Sequence, residues 1–323
     1  MRAFVTGAGG FIGLALVRRL RQRGDEVHAL VRSTVRADIL EGLGCQLHEG
    51  DLASVAQLRE QMAGCDAVFH LAGIYRVGIP AAERPAMYTA NVAGTANVLD
   101  AAVASGAARV IYVSTINAFG DTRRRVVDET YRRPEPPRYV SYYDETKHLA
   151  HLLVEARIAA GAPVLIVLPG GVYGPGDHSA IGAVMRQAAG GRLRVVTFPD
   201  LGMNMVHVDD VAAGITLAGD RGRIGEAYVL GGEVTTLGQI VRKAAVSGGK
   251  RPPRVIVPSW LVRALATPAG LIGPLLGNRT NLGELISASD GVTYWASDAK
   301  ARRELGYEPR NLETGLRGLF DPA

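Results

Sequence analysis

Tyr143 and Lys147 lie four positions apart in the stretch SYYDETKHLA, residues 141–150. On a helix that spacing puts both side chains on one face. A free phenol has a pKa of about 10. A neighbouring ammonium favours the phenolate and lowers that value. A tyrosine paired in this way can exchange a proton with a substrate near neutral pH. A surface helix with an incidental pair has the same spacing, so the rest of the chain must decide. Asp144 and His148 stand beside the pair but point away from Tyr143 on a helix, and read as ordinary helix-surface residues.

The second candidate is VTGAGGFIG, near the N-terminus. Gly7, Gly10 and Gly13 fall at three-residue intervals, with Gly9 and Phe11 between them. Ile12 occupies the place of the third glycine in the usual G-x-G-x-x-G. The physics is kept: a tight turn, close backbone approach to a pyrophosphate, and a helix N-terminus with free N–H groups. Its place at the first strand–helix junction favours a dinucleotide over an unliganded turn. A NAD site usually carries an acid at the end of the second strand for the ribose hydroxyls. Here that strand ends LVRSTVR, with Arg32 where the acid would stand and Arg36 following. A guanidinium suits a 2′-phosphate. NADP(H) is therefore the favoured cofactor and NAD(H) the alternative.

These residues need elements to position them. AFVTG, EVHALV (26–31), CQLHEG (45–50), AVFHLAG (67–73), RVIYVST (109–115) and PVLIVLPG (163–170) are apolar runs of strand type. Helical patterns cover 11–23, 54–63, about 84–105 and 141–160. Strand–helix alternation implies an α/β fold, a doubly wound parallel sheet with helices on both faces. Continuous apolar strands fit a sheet covered on both sides. After 170 the alternation breaks at PGGVYGPGDH, followed by a helix (181–190), a strand (193–198) and a helix–strand unit returning to the sheet (206–230). From 232 short helices and loops are expected. The resulting division is a dinucleotide-binding domain, 1–170 plus about 206–231, and a smaller, mostly C-terminal substrate lobe, about 171–205 and 232–323.

The 323 residues suffice for such a core, with 47% hydrophobic against 21% charged. The net charge of +5 is mild and the arginines are scattered. The runs Arg123–Arg125 and Arg132–Arg133 read as solvated loop charges, so a nucleic-acid surface is not indicated. Cys45 and Cys65 have no metal-ligand spacing and read as buried free thiols, which fits a reducing cytoplasm. No metal is expected. The apolar stretch 260–277 contains Arg263, Pro268 and Pro274, too interrupted for a membrane span. A helix lining an apolar pocket is the reading, with peripheral membrane contact as the alternative.

In order along the chain, several motifs resemble the extended branch of the short-chain dehydrogenase/reductase superfamily. They are TGAGGFIG, GDL at Asp51–Leu52, FHLAG ending Leu71-Ala72-Gly73, NVAGTANVLDAA with Asn91, VSTINAFG with Thr115, YDETK, PGGVYGPGD and VHVDDVAAG. The resemblance covers nearly the whole chain and implies a Rossmann fold. It also implies roles. Tyr143 is general acid/base, Lys147 lowers its pKa and holds the nicotinamide ribose, and Thr115 orients the reacting oxygen. Asn91 has a structural or relay role. Asp51 and Leu52 meet the adenine. Leu71, Ala72, Gly73, Pro169, Gly170 and Val172 join the cofactor site. The cofactor carries the hydride and the protein supplies position and proton.

Within that branch, sugar 4,6-dehydratases resemble Thr-Asp-Glu where this chain has Thr115-Ile116-Asn117, so the eliminating carboxylates are missing. Nucleotide-sugar enzymes often carry Arg-Asp before the VHVDD segment, where Asn204 and Met205 stand here. The region ALVRSTVR resembles NADPH-using dihydroflavonol-reductase-like members. The expected substrate contacts are Thr115, Ile116, Asn117, Tyr75, Tyr173 and Met203, with Ile74, Val77, Ile79, Val172 and Met205 adding apolar surface. Lobe core predicts the same residues. Arg76 and Arg186 remain available to an anionic group. The expected activity is NAD(P)(H)-dependent interconversion of a ketone and a secondary alcohol, of dihydroflavonol-reductase or 3β-hydroxysteroid-dehydrogenase type. The alternatives are a nucleotide-sugar 4-epimerase with tightly held NAD and a non-catalytic cofactor sensor of the NmrA kind. The family resemblance implies a homodimer through the helices near 84–105 and 141–160.

Overall fold

The computed structural model describes residues 1–32, 37–264 and 280–320. Arg36 and residues 265–277 of the apolar stretch lie outside the described residues. Seven strands form one parallel sheet: β1 (Arg2–Thr6), β2 (Glu26–Val31), β3 (Gln46–Glu49), β4 (Ala67–His70), β5 (Arg109–Val113), β6 (Val164–Pro169) and β10 (Ala227–Leu230). Their order is β10-β6-β5-β4-β1-β2-β3. The order reverses between β1 and β4, where a doubly wound sheet opens its ligand crevice.

Successive residues of a strand point to opposite faces. Phe4, Val68, Val110 and Ile166 enter the core on one side. Ala3, Val5, Phe69, Ile111 and Val167 enter the core on the other. This is why the strands read as unbroken apolar runs. The helices include α1 (Phe11–Gln22), α2 (Ala37–Gly42), α3 (Val55–Met62), α4 (Arg84–Tyr88), α5 (Gly94–Ala104), α6 (Tyr142–Ala159), α7 (Ala180–Ala189), α8 (Val208–Arg221) and α9 (Leu237–Ser247). On α1 the residues Leu16, Val17 and Leu20 recur at helical spacing and face the core.

Two features differ from the sequence expectation. The helical pattern over 84–105 is interrupted by a π-helical turn, Thr89–Ala93, between α4 and α5. Such turns insert an extra residue and are frequent at functional sites; Asn91 lies within this one. Beyond the main sheet, β7 (Gly171–Tyr173), β9 (Gly202–His207) and β11 (Glu233–Thr236) form a three-stranded sheet. The strands β8 (Val195–Thr197) and β12 (Val255–Val257) pair in parallel. Regular structure thus continues past 232, where short helices and loops were expected. Among the described residues no helix is long and apolar enough to cross a membrane. Cys65 is buried and Cys45 only half-buried; both are free thiols. Burial pushes the Cys65 thiol up to about 11.

Candidate active site

The glycine loop joins β1 to α1 at the crevice. Gly7 has φ +72, and a Cβ there would stand 2.7 Å from the Ala72 amide nitrogen. The turn therefore lies directly against the end of β4, where Leu71, Ala72 and Gly73 emerge. A Cβ on Gly13 would stand 2.1 Å from the Gly7 carbonyl oxygen, so only glycine lets α1 fold back on the turn. Gly10 caps α1 without any side-chain hydrogen bond, and the first turn has no acidic residue. An uncapped helix N-terminus against a glycine turn fits the pyrophosphate of a dinucleotide. Phe11 and Ile12 open the helix, both half-buried. Arg32 is exposed just past β2. The Asp51 carboxylate accepts from the Ala53 amide (2.7 Å). The Leu52 carbonyl accepts from Asn97 (2.7 Å), and its side chain lies against Gly94. On the other side of the crevice Pro169 ends β6. Gly170 runs so close to β9 that a Cβ would stand 2.4 Å from the Asn204 carbonyl oxygen. Val172, in β7, packs against the core.

Ser141 accepts from the Asp144 amide (3.0 Å) and starts α6 so that Tyr143 falls in its first turn. Tyr143 is 8% exposed and packs with Ile79 and Met87, flanked by Ile74, Val77 and Tyr142. The Tyr75 ring meets it edge-on, centroids 4.8 Å apart, and is itself 63% exposed. Thr115, at the end of β5, lies beside the Tyr143 phenol and acts to lower its pKa. Thr115 also caps the 3₁₀ turn Ile116–Phe119, accepting from the Asn117 amide (3.3 Å) and donating to Asn117 Oδ1 (3.2 Å).

Lys147 is held by a residue of the neighbouring strand. Its Nζ donates to the Tyr112 hydroxyl (3.5 Å) and lies over that ring, 5.3 Å from the centroid. The Tyr143 phenol is pushed well up, chiefly by burial and then by the Tyr75 and Tyr112 phenols; the Thr115 hydroxyl opposes this. A phenolate is costly in so apolar a setting. Tyr143 therefore rests as a protonated acid.

Asn91 directs its amide to other partners than the phenol. Its Oδ1 accepts from the Ile74 amide (2.7 Å), and its Nδ2 donates to the Ile74 carbonyl (3.0 Å) and to Thr146 Oγ1 (3.0 Å). Asn91 thus ties the Gly73–Ile74 segment to α6, and a Cβ at Gly73 would stand 3.0 Å from its oxygen. Behind it, His70 is fully buried between Thr6 (2.7 Å) and Thr95 (3.0 Å), and burial drops its pKa to about 3. It is neutral.

Three expectations are corrected. Asp144 is not a surface residue: its side chain is 0% exposed and it is ion-paired with Arg133, which is 4% exposed. Arg133 is accordingly no solvated loop charge, unlike its neighbour Arg132, at 66%. His148 is also buried, bonded through Nδ1 to the Tyr139 hydroxyl (3.1 Å), and burial lowers its pKa to about 4. The apolar faces of α6 hid these residues because their partners come from residues 133–140, which carry no periodic pattern.

The remaining substrate candidates separate. Asn117 stands with Thr115, and Tyr75 with Tyr143. Met203 covers Gly171, its methyl 3.0 Å from where a Cβ would be. Ile116 is 2% exposed and packs in the core. Tyr173 is 1% exposed, its ring edge-on to His207 (5.4 Å) and its hydroxyl turned to Gly315. Asn204 and Met205 are buried, and Asn204 holds both the Ala296 carbonyl (2.5 Å) and amide (3.1 Å). Arg76 pairs with Glu83 (2.6 Å), and Arg186 donates to the Asp177 carbonyl.

Comparison with known proteins agrees with this geometry. Residues 3–231 match the model of the NAD dependent epimerase/dehydratase family. A Synechocystis sp. protein whose name refers to dihydroflavonol 4-reductase is 33% identical over 327 residues, covering 97% of this chain and 92% of its own. The 4-hydroxy-2-methyl-3-oxo-4-farnesyl-3,4-dihydroquinoline-1-oxide ketoreductase of Stigmatella aurantiaca is 32% identical, covering 99% and 96%. The structure of MoeE5 in complex with UDP-glucose and NAD superposes with a TM-score of 0.74 at 26% identity, covering 99% and 97%. The chain belongs to the NAD dependent epimerase/dehydratase family and is an NAD(P)-dependent enzyme of the extended short-chain dehydrogenase/reductase type.

Proposed function

We propose that this enzyme interconverts a ketone and a secondary alcohol on a fairly apolar small molecule, with NADP(H) as its preferred cofactor. The observation that carries the reading is the protonated Tyr143, with Thr115 beside it and walled by Ile74, Val77, Ile79, Met87 and Tyr75. A phenol donor beside a second hydroxyl is the arrangement needed to bind and protonate a carbonyl oxygen. The apolar wall favours a substrate with few charges.

Gly7, Gly10 and Gly13 with the α1 N-terminus would hold the pyrophosphate, Arg32 the 2′-phosphate, and Lys147 the nicotinamide ribose. The bound dinucleotide supplies or accepts the hydride. Tyr143 gives its proton to the carbonyl oxygen on reduction and takes it back on oxidation. Thr115 orients that oxygen. The similarity to the Stigmatella ketoreductase supports this chemistry. Leu152 on α6 and Val103 on α5 are 44% and 50% exposed, which supports a homodimer through these helices.

The likeness to MoeE5 with UDP-glucose and NAD favours a second reading, a nucleotide-sugar epimerase. Against it, Asn204 is committed to Ala296 and Met205 is buried, so neither presents a donor to a diphosphate. The test is to denature freshly purified protein, identify any nucleotide released, and measure NADPH and NADH affinities. Exchangeable binding that favours NADPH is the expected result. Stoichiometric NAD that does not exchange overturns the reading in favour of the epimerase.

A further inference from the structure

We infer that Arg133 is a positioning residue, which sets Thr115 against Tyr143 by fastening the turn after β5 to the start of α6. The two groups come from different elements: Thr115 caps the turn Ile116–Phe119, and Tyr143 sits in the first turn of α6. Arg133 reaches both. Its Nε donates to the Ala118 carbonyl (2.9 Å) and one terminal nitrogen to the Asn117 carbonyl (2.9 Å). The same guanidinium is paired with Asp144, the residue next to Tyr143. Asp144 in turn accepts from the Val140 amide (3.1 Å), and the other terminal nitrogen of Arg133 reaches the Arg138 carbonyl (3.4 Å).

The surroundings are built for this guanidinium. Gly120 has φ +72, and a Cβ there would stand 2.6 Å from Arg133 Cζ. The Tyr139 ring lies 5.2 Å from the same carbon. A planar fork meets several acceptors at fixed angles, which an ammonium cannot do. Arg133 and Asp144 are buried, at 4% and 0% exposed, so the effect is transmitted through the turn. A buried pair of this kind is a weak source of net stability and a strong source of geometry.

The inference rests on the proposed carbonyl chemistry for its kinetic readout only. The experiment compares wild type, Arg133→Lys, Arg133→Met, Thr115→Ala and the Arg133→Met/Thr115→Ala pair. It measures NADPH affinity, kcat and KM on a reducible apolar ketone, and thermal stability. Arg133→Met is expected to lower kcat about 10–100-fold, as ångström-scale misplacement does. NADPH affinity should change less than about threefold. In the Thr115→Ala background the same substitution should cost less than about threefold, because the group it positions is already gone. A general structural role predicts an equal loss in both backgrounds, and that result overturns the inference. So does kcat within about twofold of wild type in the folded variant.

Arg133→Lys keeps the charge beside Asp144 and serves if Arg133→Met does not fold. Its crystal structure should show Thr115 displaced from Tyr143; an unmoved turn overturns the inference. That readout stands even if no ketone is reduced, an outcome that would sink the proposed function alone.

Discussion

Lys147 lies over the ring of Tyr112, its ammonium 3.5 Å from the hydroxyl and 5.3 Å from the ring centroid. Tyr112 is 1% exposed in β5, so a rigid strand holds a long, mobile side chain at the crevice. Replacing Tyr112 with Phe keeps the ring face and removes the hydroxyl acceptor. Loss of one such bond is worth about 0.5–1.5 kcal/mol. Tyr112→Phe should therefore weaken NADPH binding a few-fold, read by fluorescence titration, with little change in melting temperature.

Burial sets the acid strength of Tyr143. A phenol whose pKa is raised stays protonated to higher pH, and its use as an acid is lost only as pH rises through that raised value. Ketone reduction should therefore show no Tyr143-dependent fall between about pH 6 and 9, short of the ordinary phenol range. A kcat profile in the reduction direction checks this. A fall centred near neutral pH that disappears in Tyr143→Phe would show that the phenol is instead held down.

The glycine cradle is sterically tight at Gly13, where a Cβ would stand 2.1 Å from the Gly7 carbonyl. Gly13→Ala must push α1 off the turn. Overpacking of this sort costs about 1–3 kcal/mol, and it separates the helix N-terminus from the phosphate site. NADPH affinity is expected to fall by at least about tenfold. Unfolding and nucleotide titrations on the same variant would detect both effects.

Asn91 makes its bonds to Ile74 and Thr146, not to Tyr143. Asn91→Ala leaves buried polar groups unpaired, at a cost of about 1–3 kcal/mol. The loss should appear mainly as a lower melting temperature, with turnover of the folded enzyme reduced less than about tenfold. A relay role predicts the opposite pattern: turnover lost and stability kept.

The parts legible in the sequence are those fixed by local pattern. The glycine loop needs only its spacing and a strand before it, and Tyr143–Lys147 needs only a helix. The parallel strands other than the edge strand β3 are visible because both faces are buried, which leaves continuous apolar runs. What escaped detection depends on partners far along the chain. Arg133 looked like a loop charge because Asp144 is found only in three dimensions. Nothing near Asn204 in the sequence marks its partner Ala296, 92 residues away, which takes both ends of its amide. Tyr112 was one more apolar strand residue until Lys147 folded over it. The π turn at Thr89–Ala93 sits within an uninterrupted helical pattern, and no residue type marks it. Tyr173 showed the converse: a tyrosine in a loop motif reads as a ligand contact, yet it packs in the core.

The most direct measurement is oxidation of NADPH by wild type and Tyr143→Phe across a panel of apolar ketones. Both proteins should bind NADPH with similar affinity, and wild type should reduce at least one ketone. Tyr143→Phe should lose about 10²–10⁴-fold in kcat on that ketone. Equal turnover by the two proteins would contradict the assignment of Tyr143 as the proton donor. No ketone turnover, with interconversion of a nucleotide sugar in its place, would contradict the proposed function.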